Sequence, residues 1–251
     1  MMNPPTVPLP AAATIVVGVA IVALVWAASK KNVLPAVRNF GWTLKPLTSA
    51  VTSAVKLPTG QRELRIKHDI LKGVTCEMLQ WFMERFLDLE FVIQGKVYSA
   101  FHVWHPRDHI VLERKTGRPG DMLRDGDRFR LQEAFGRDPT YMVDDVATVC
   151  DFVSGKSFGV KVLAGPVTLG TLVHTFLDVP GGTQCNTHFI IGLREGFLLK
   201  PLINDVVLPQ KFGVEMQTRW LTHNVEEFGC LEHFLPIAYS RRSQGMRISL
   251  D

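Results

Sequence analysis

The sequence predicts an α+β fold in which an antiparallel sheet curves around one long C-terminal helix. Two observations carry this expectation. Runs rich in β-branched and aromatic residues lie at 91–113, 128–132, 160–176 and 187–197, separated by turn residues. Residues Gln217 to Tyr239 then read as one long helix, weakened at Gly229 and stopped near Pro236. One helix laid against such a sheet is a helix-grip arrangement, which encloses a cavity.

The elements follow in order. Residues 1–30 are expected to form an N-terminal tail and a transmembrane anchor, because Ala11 to Ala28 is an apolar run with no charge until Lys30 and Lys31. No cation other than the terminal amine precedes it, which argues against a cleaved signal peptide. Lys30, Lys31, Arg38 and Lys45 follow the span, so the positive-inside rule puts the body in the cytosol, as a single-pass membrane protein. The lack of a dense disulfide framework among Cys76, Cys150, Cys185 and Cys230 agrees with that compartment. Residues 31–60, with Pro35, Pro46, Pro58 and Gly60, read as a juxtamembrane linker, and residues 61–251 as the globular body. Thr75 is placed to cap a helix whose apolar face is Met78, Phe82, Phe86 and Leu87. Pro180-Gly181-Gly182-Thr183 supplies the turn between the last two strand runs. The net charge of +4 is concentrated beside the anchor and at Arg241, Arg242 and Arg247. It forms no basic stripe interleaved with aromatics, so nucleic acid is not an expected partner.

Three polar groups stand out from this frame. His223 and Glu227 are four apart on the terminal helix and share a face with Trp220, Leu231 and Phe234. Alone, the pair reads as a buried hydrogen bond bracing the helix, with Glu226 on a solvated face. His102, His105 and His109 cluster within a few residues; alternation as a strand puts His105 with Phe101 and Val103, while His109 lies beyond the Pro106 break. Any of the three has the chemistry to bind metal, and His102 reads as a hydrogen-bonded histidine. Glu133 ends a short strand and, alone, reads as a partner for Arg128 or Arg130. Two histidines and two carboxylates together suit zinc, whose bound water reaches a pKa of about 7.

Four motifs resemble one family. His68-Asp69-Ile70-Leu71-Lys72-Gly73-Val74-Thr75, the Trp104-His105-Pro106-x-Asp108-His109 run, Gly181-Gly182-Thr183 and His223-x-x-x-Glu227 are similar to the 2,4-diacetylphloroglucinol and phloretin hydrolases, over roughly residues 67–239. The resemblance implies a Bet v 1/START-like helix-grip fold and a zinc ion held by His109, Glu133, His223 and Glu227. It implies cleavage of a carbon–carbon bond next to a carbonyl in an acylphenol or polyketide-like small molecule. It also nominates His174 for proton transfer, with His188 as the fallback, Glu133 as a catalytic group besides a ligand, and Phe101 and Trp104 on the substrate side. Two departures stand out: Phe101 occupies the place of the family's substrate-binding tyrosine, and the spacing from His109 to Glu133 is shorter than in the family. The alternatives to hydrolysis are a metal-dependent isomerase or cyclase, and a membrane-tethered lipid carrier.

Overall fold

The computed structural model describes residues 34–164, 167–196 and 199–251. The fold is mixed α+β, with a large antiparallel sheet and a C-terminal helix. Strands β1 (Val51–Lys56), β2 (Arg62–Lys67), β3 (Leu71–Lys72), β6 (His109–Arg114), β7 (Arg128–Ala134), β8 (Met142–Val153), β9 (Ser157–Ala164), β10 (Val167–Val179) and β11 (Gly182–Ile191) form one nine-stranded sheet. Its order is β1-β2-β11-β10-β9-β8-β7-β6, with β3 paired to the end of β11. A small second sheet joins β4 (Glu90–Ile93) to β5 (Lys96–Ser99) and to β12 (Arg247–Ser249), the last in parallel with β4.

The local reasons are legible. Thr75 caps the helix Cys76–Arg85, its hydroxyl accepting the Met78 amide at 3.2 Å. Val179 pairs with Gly182, so Pro180 and Gly181 alone make the β10–β11 turn. Gly182 lies against the Leu71 carbonyl where β3 meets β11, and a side chain there would collide with that backbone. On β11, Thr183, Cys185, Thr187, Phe189 and Ile191 are buried while Asn186 is exposed, the period-two pattern of a strand with one face on the core.

The C-terminal helix runs Val214–Ser240, longer at both ends than expected, and continues through Pro236. A proline there forfeits one main-chain hydrogen bond, and the packing of Leu235 and Ala238, both fully buried, holds the last turn. Residues 223–231 of this helix are buried without a break. Its first half packs Trp220, Leu221 and Val225 against Leu64, Ile66, Phe189 and Phe212. Its second half packs Phe228, Leu231 and Phe234 into a larger cluster with Phe82, Phe91, Phe101 and Trp104. Each fully buried aromatic or leucine contributes roughly 1.5–3 kcal/mol. His223 and Glu227 lie on the seam between the two clusters.

Several expectations are corrected. The membrane anchor and its cytosolic orientation have no structural support: among the described residues no helix is long and apolar enough to cross a membrane, and the span 11–28 lies outside them. The single-pass membrane assignment is withdrawn. Within the expected linker 31–60, residues 51–56 form β1, hydrogen-bonded to β2, and Lys45 reaches Glu232 of the terminal helix at 2.6 Å. The Lys45 stem crosses the helix over Gly229, where a β-carbon would meet it at 2.8 Å, so this glycine makes room for the crossing. The 91–113 region is not all strand. Ala100–Trp104 is a short helix capped by the Ser99 hydroxyl, so strand alternation does not apply to His102 or His105. The 160–176 run divides between β9 and β10.

Replacing Gly182 with alanine is expected to lower stability by roughly 1–3 kcal/mol, because the Leu71 backbone cannot yield as a side-chain tip would. Urea melts of the two proteins measure it; a loss under about 0.5 kcal/mol, the usual range for neutral surface changes, contradicts the reading.

Candidate metal centre

Three elements meet at the seam. β6 begins at His109, which pairs directly with Glu133 of β7, so the two side chains face each other across the hairpin despite their short spacing in sequence. The terminal helix adds His223 and Glu227 one turn apart. His109 Nε2 lies 3.3 Å from Glu133 Oε1 and 3.5 Å from Glu227 Oε2. His223 Nε2 lies 3.8 Å from Glu133 Oε2 and 3.7 Å from Glu227 Oε2. The structure thus brings all four residues of the expected set together.

Each imidazole is aimed by its other nitrogen. His109 Nδ1 donates to the Phe101 carbonyl at 2.6 Å, which fixes the tautomer and leaves Nε2 as a lone pair. That Nε2 is buried and has no hydrogen-bond partner. His223 Nδ1 donates to Asp108 Oδ2 at 3.1 Å. Asp108 is wholly buried and also accepts the amides of Gly136, at 2.9 Å, and Arg137, at 3.2 Å. Phe101 stacks on the His109 ring at 3.7 Å, and Trp104 meets the same ring edge-on at 5.7 Å. Both residues expected on the substrate side therefore also brace a member of the cluster.

The electrostatics follow from burial and these partners. Burial pushes the Glu227 carboxyl up to about 8 and raises Glu133, each partly offset by His223. Burial would lower His223, but the Asp108 hydrogen bond and the charges of Glu133, Glu227 and Asp108 outweigh it and raise the imidazole to about 9. Burial, His223 and His105 hold His109 well below its ordinary value. Burial works against the Asp108 charge, yet its hydrogen bond and attraction to His223 bring the carboxyl down to about 2.

These residues fit a divalent cation. Nitrogen and oxygen ligands at ~2.0–2.2 Å from a tetrahedral ion stand roughly 3.3–3.6 Å apart, close to the 3.5 and 3.7 Å from Glu227 Oε2 to the two Nε2 atoms, while Glu133 turns a different oxygen to each histidine. Donor atoms of His109, His223 and Glu227 all lie within 4.8 Å of one another. The orphaned Nε2 lone pair of His109 and the two carboxylates held out of water each call for positive charge. Glu133 and Glu227 keep 13% and 9% of their side-chain surface exposed, against 0% for His109 and 3% for His223.

Other histidines are placed differently. His105 spends both nitrogens, accepting the Asp108 amide at Nδ1 and donating to Glu226 at 3.1 Å. Glu226 is therefore not a solvated residue: it is 8% exposed and pairs with Arg107 at 2.8 Å. His102 donates to the Ile110 carbonyl. His188 faces outward and bonds Glu63 at 2.9 Å. His174 is buried and bonds the Thr187 hydroxyl, not a member of the cluster. Thr187 escaped sequence reasoning; Asp108 stood in the Trp104-His105-Pro106-x-Asp108-His109 run without being given a role.

No protein-family model matches the chain, and no curated protein does. Solved structures do. A protein of unknown function from Staphylococcus aureus is 10% identical over 74% of this chain and 96% of its own, with a TM-score of 0.41. CalU16 from Micromonospora echinospora is 9% identical over 76% and 94%, with a TM-score of 0.34. Ara h 8.0201 is 9% identical over 68% and 98%, with a TM-score of 0.32. Likenesses this distant carry no argument about the site.

Two outcomes are expected. Asp108→Asn removes the charge that orients His223 and should weaken zinc binding ~10–100-fold, measured by competition with a chelating dye; unchanged affinity contradicts the role of Asp108. The second concerns His68 and His174, both lowered from 6.5 to about 3, chiefly by burial. The unfolded chain takes up protons on them below about pH 6.5 while the folded chain does not until about pH 3, so stability falls as pH drops through that window. His68→Gln should flatten the stability-versus-pH slope between pH 6 and pH 4 by about 1.4 kcal/mol per pH unit. An unaltered slope in urea melts would show that His68 is not neutral in the fold.

Proposed function

We propose that the chain is a zinc-dependent hydrolase that cleaves a carbon–carbon bond next to a carbonyl, in an acylphenol or polyketide-like small molecule. The observation that carries this reading is the convergence of His109, Glu133, His223 and Glu227 at separations of 3.3–3.8 Å, with both histidines oriented by a second hydrogen bond. In this reading the sheet and terminal helix are a Bet v 1/START-like helix grip, and the site is at the middle of the gripped helix.

Zinc, when bound, supplies Lewis-acid polarisation of a carbonyl oxygen and lowers the pKa of water. The chain's own residues do the rest. His109 and His223 present Nε2, because Nδ1 of each is committed to Phe101 or Asp108. Glu133 and Glu227 would complete the set, the charge of the ion standing in place of the protons that burial otherwise favours on them. His174, buried and neutral, is the group we assign to deliver a proton to the departing carbon. The apolar wall of Phe101, Trp104 and Phe228 keeps bulk water from the buried side.

Phe101 favours a second reading. With no phenol at this position the same metal centre has less to grip a ring hydroxyl, which suits isomerisation or cyclisation of a more apolar compound.

The purified protein is expected to carry about one zinc per chain by elemental analysis, and His109→Ala and Glu227→Ala to lose it while keeping the circular-dichroism spectrum. Incubation with acylphenols or β-diketones should release a carboxylic acid, seen as a gain of water and two fragments by mass spectrometry. A product of unchanged mass selects isomerisation. A wild-type protein that binds no zinc overturns both readings.

A further inference from the structure

Thr187 sits between two buried imidazoles. Its hydroxyl oxygen is 2.8 Å from His68 Nε2 and 2.8 Å from His174 Nδ1. Strand pairing builds this: His174 of β10 is directly opposite Thr187 of β11, and His68 follows β2, whose Ile66 is opposite Thr187 on the other side. All three residues are at most 4% exposed. Both rings lie 4.7 Å from the ring of Phe228, the residue after Glu227 on the terminal helix. The Cys185 thiol, next to Thr187 on the inward face of β11, feels both the Glu227 carboxylate and the Thr187 hydroxyl.

One hydroxyl has one hydrogen. It donates to one ring and accepts an N–H from the other, so the two rings hold opposite polarity along the chain. The far nitrogens, His174 Nε2 and His68 Nδ1, have no hydrogen-bond partner among the described residues. The His68 end lies within the field of the Lys45 ammonium, which pairs with Asp69 and Glu232 at the protein surface. The His174 ring touches Phe228, next to Glu227 on the terminal helix.

We propose that His174, Thr187 and His68 form a proton relay between the space beside the metal centre and the surface group of Lys45, Asp69 and Glu232. The proposal rests on the hydrolase reading given above. A proton arriving at His174 Nε2 releases the one on Nδ1 to the Thr187 oxygen. The Thr187 O–H bond breaks and its proton passes to His68 Nε2, while His68 Nδ1 gives its proton to solvent. One proton crosses, both rings end neutral, and each tautomer is inverted. Hydrolysis takes one proton from water and returns one to the departing carbon, so a full turnover runs the chain once in each direction and restores it. In this proposal His68 and Thr187 act through His174 and are positioning residues, and His174 is the group assigned to meet the substrate.

The test uses the full-length zinc-loaded chain and two variants, Thr187→Val and Thr187→Ser. Histidine-ring nitrogen NMR should give, for His68 and His174, shifts averaged between the protonated and bare limits, because the two polarities exchange. Thr187→Val should freeze each ring in one tautomer, and Thr187→Ser should keep the averaging. With an acylphenol, Thr187→Val should lower kcat by on the order of 100-fold with KM and zinc content unchanged, and Thr187→Ser should restore it. Fixed tautomers in the wild type, or an unchanged kcat in Thr187→Val, overturn the relay. If the wild type cleaves no acylphenol, the hydrolase reading fails, and the ring spectra alone decide the relay by the same criterion.

Discussion

Asp108 holds the centre together. It has no exposed surface, and its carboxylate collects the amides of Gly136 and Arg137 and the Nδ1 hydrogen of His223. A buried carboxylate without such donors costs several kcal/mol, and with them becomes a fixed negative charge. That charge has two effects. It ties the β6 entry loop and the turn after β7 to the terminal helix, and it turns His223 so that Nε2 meets Glu133 and Glu227. The main-chain nitrogen of the same residue bonds His105 Nδ1, which commits His105 to bracing the loop and to holding Glu226. The geometry of the four-residue cluster therefore depends on an aspartate outside it, which reaches it through His223 Nδ1 at 3.1 Å.

The cluster also depends on where the helix is polar. Its first half is packed in one apolar cluster and its second in another, and the junction falls at His223–Glu227. Apolar packing on both sides supplies the burial energy of the helix, while the seam between them carries groups that no apolar neighbour can satisfy. Burial on this scale raises the cost of an ionised carboxylate, which is why Glu133 and Glu227 both hold protons more tightly than usual. A cation at the seam would lower that cost in one step.

Much of the fold was readable because it rests on local chemistry: the Thr75 cap, the Pro180–Gly181 turn and the long amphipathic run of the terminal helix are all set by residues close in sequence. The short helix Ala100–Trp104 was hidden by its β-branched and aromatic composition, and its start is fixed by a serine cap that a strand reading ignores. Strand β1 was hidden among prolines, since its partner β2 lies beyond Pro58 and Gly60 and only pairing makes it a strand. For the site, helical spacing placed His223 and Glu227 on one face. The choice of His109 and the inclusion of Glu133 came from the family resemblance, since a cross-strand pair leaves no periodic mark. Glu226 was misread because its burial depends on Arg107 and His105, both more than a hundred residues away in sequence.

The buried histidines show how partner choice, more than burial, sets chemistry. His223 faces a carboxylate and is raised to about 9. His68 and His174 share a hydroxyl, which offers no countercharge, and burial takes both to about 3. His109 faces a main-chain carbonyl, which fixes its tautomer without making it a cation, and it remains a lone-pair donor. One interior thus holds one imidazole of raised proton affinity and three of lowered proton affinity, all against a single helix. Groups whose environments push their proton affinities apart divide naturally into acid, base and ligand roles. In this molecule that division is written by four oxygen atoms: two Asp108 carboxylate oxygens, the Phe101 carbonyl and the Thr187 hydroxyl.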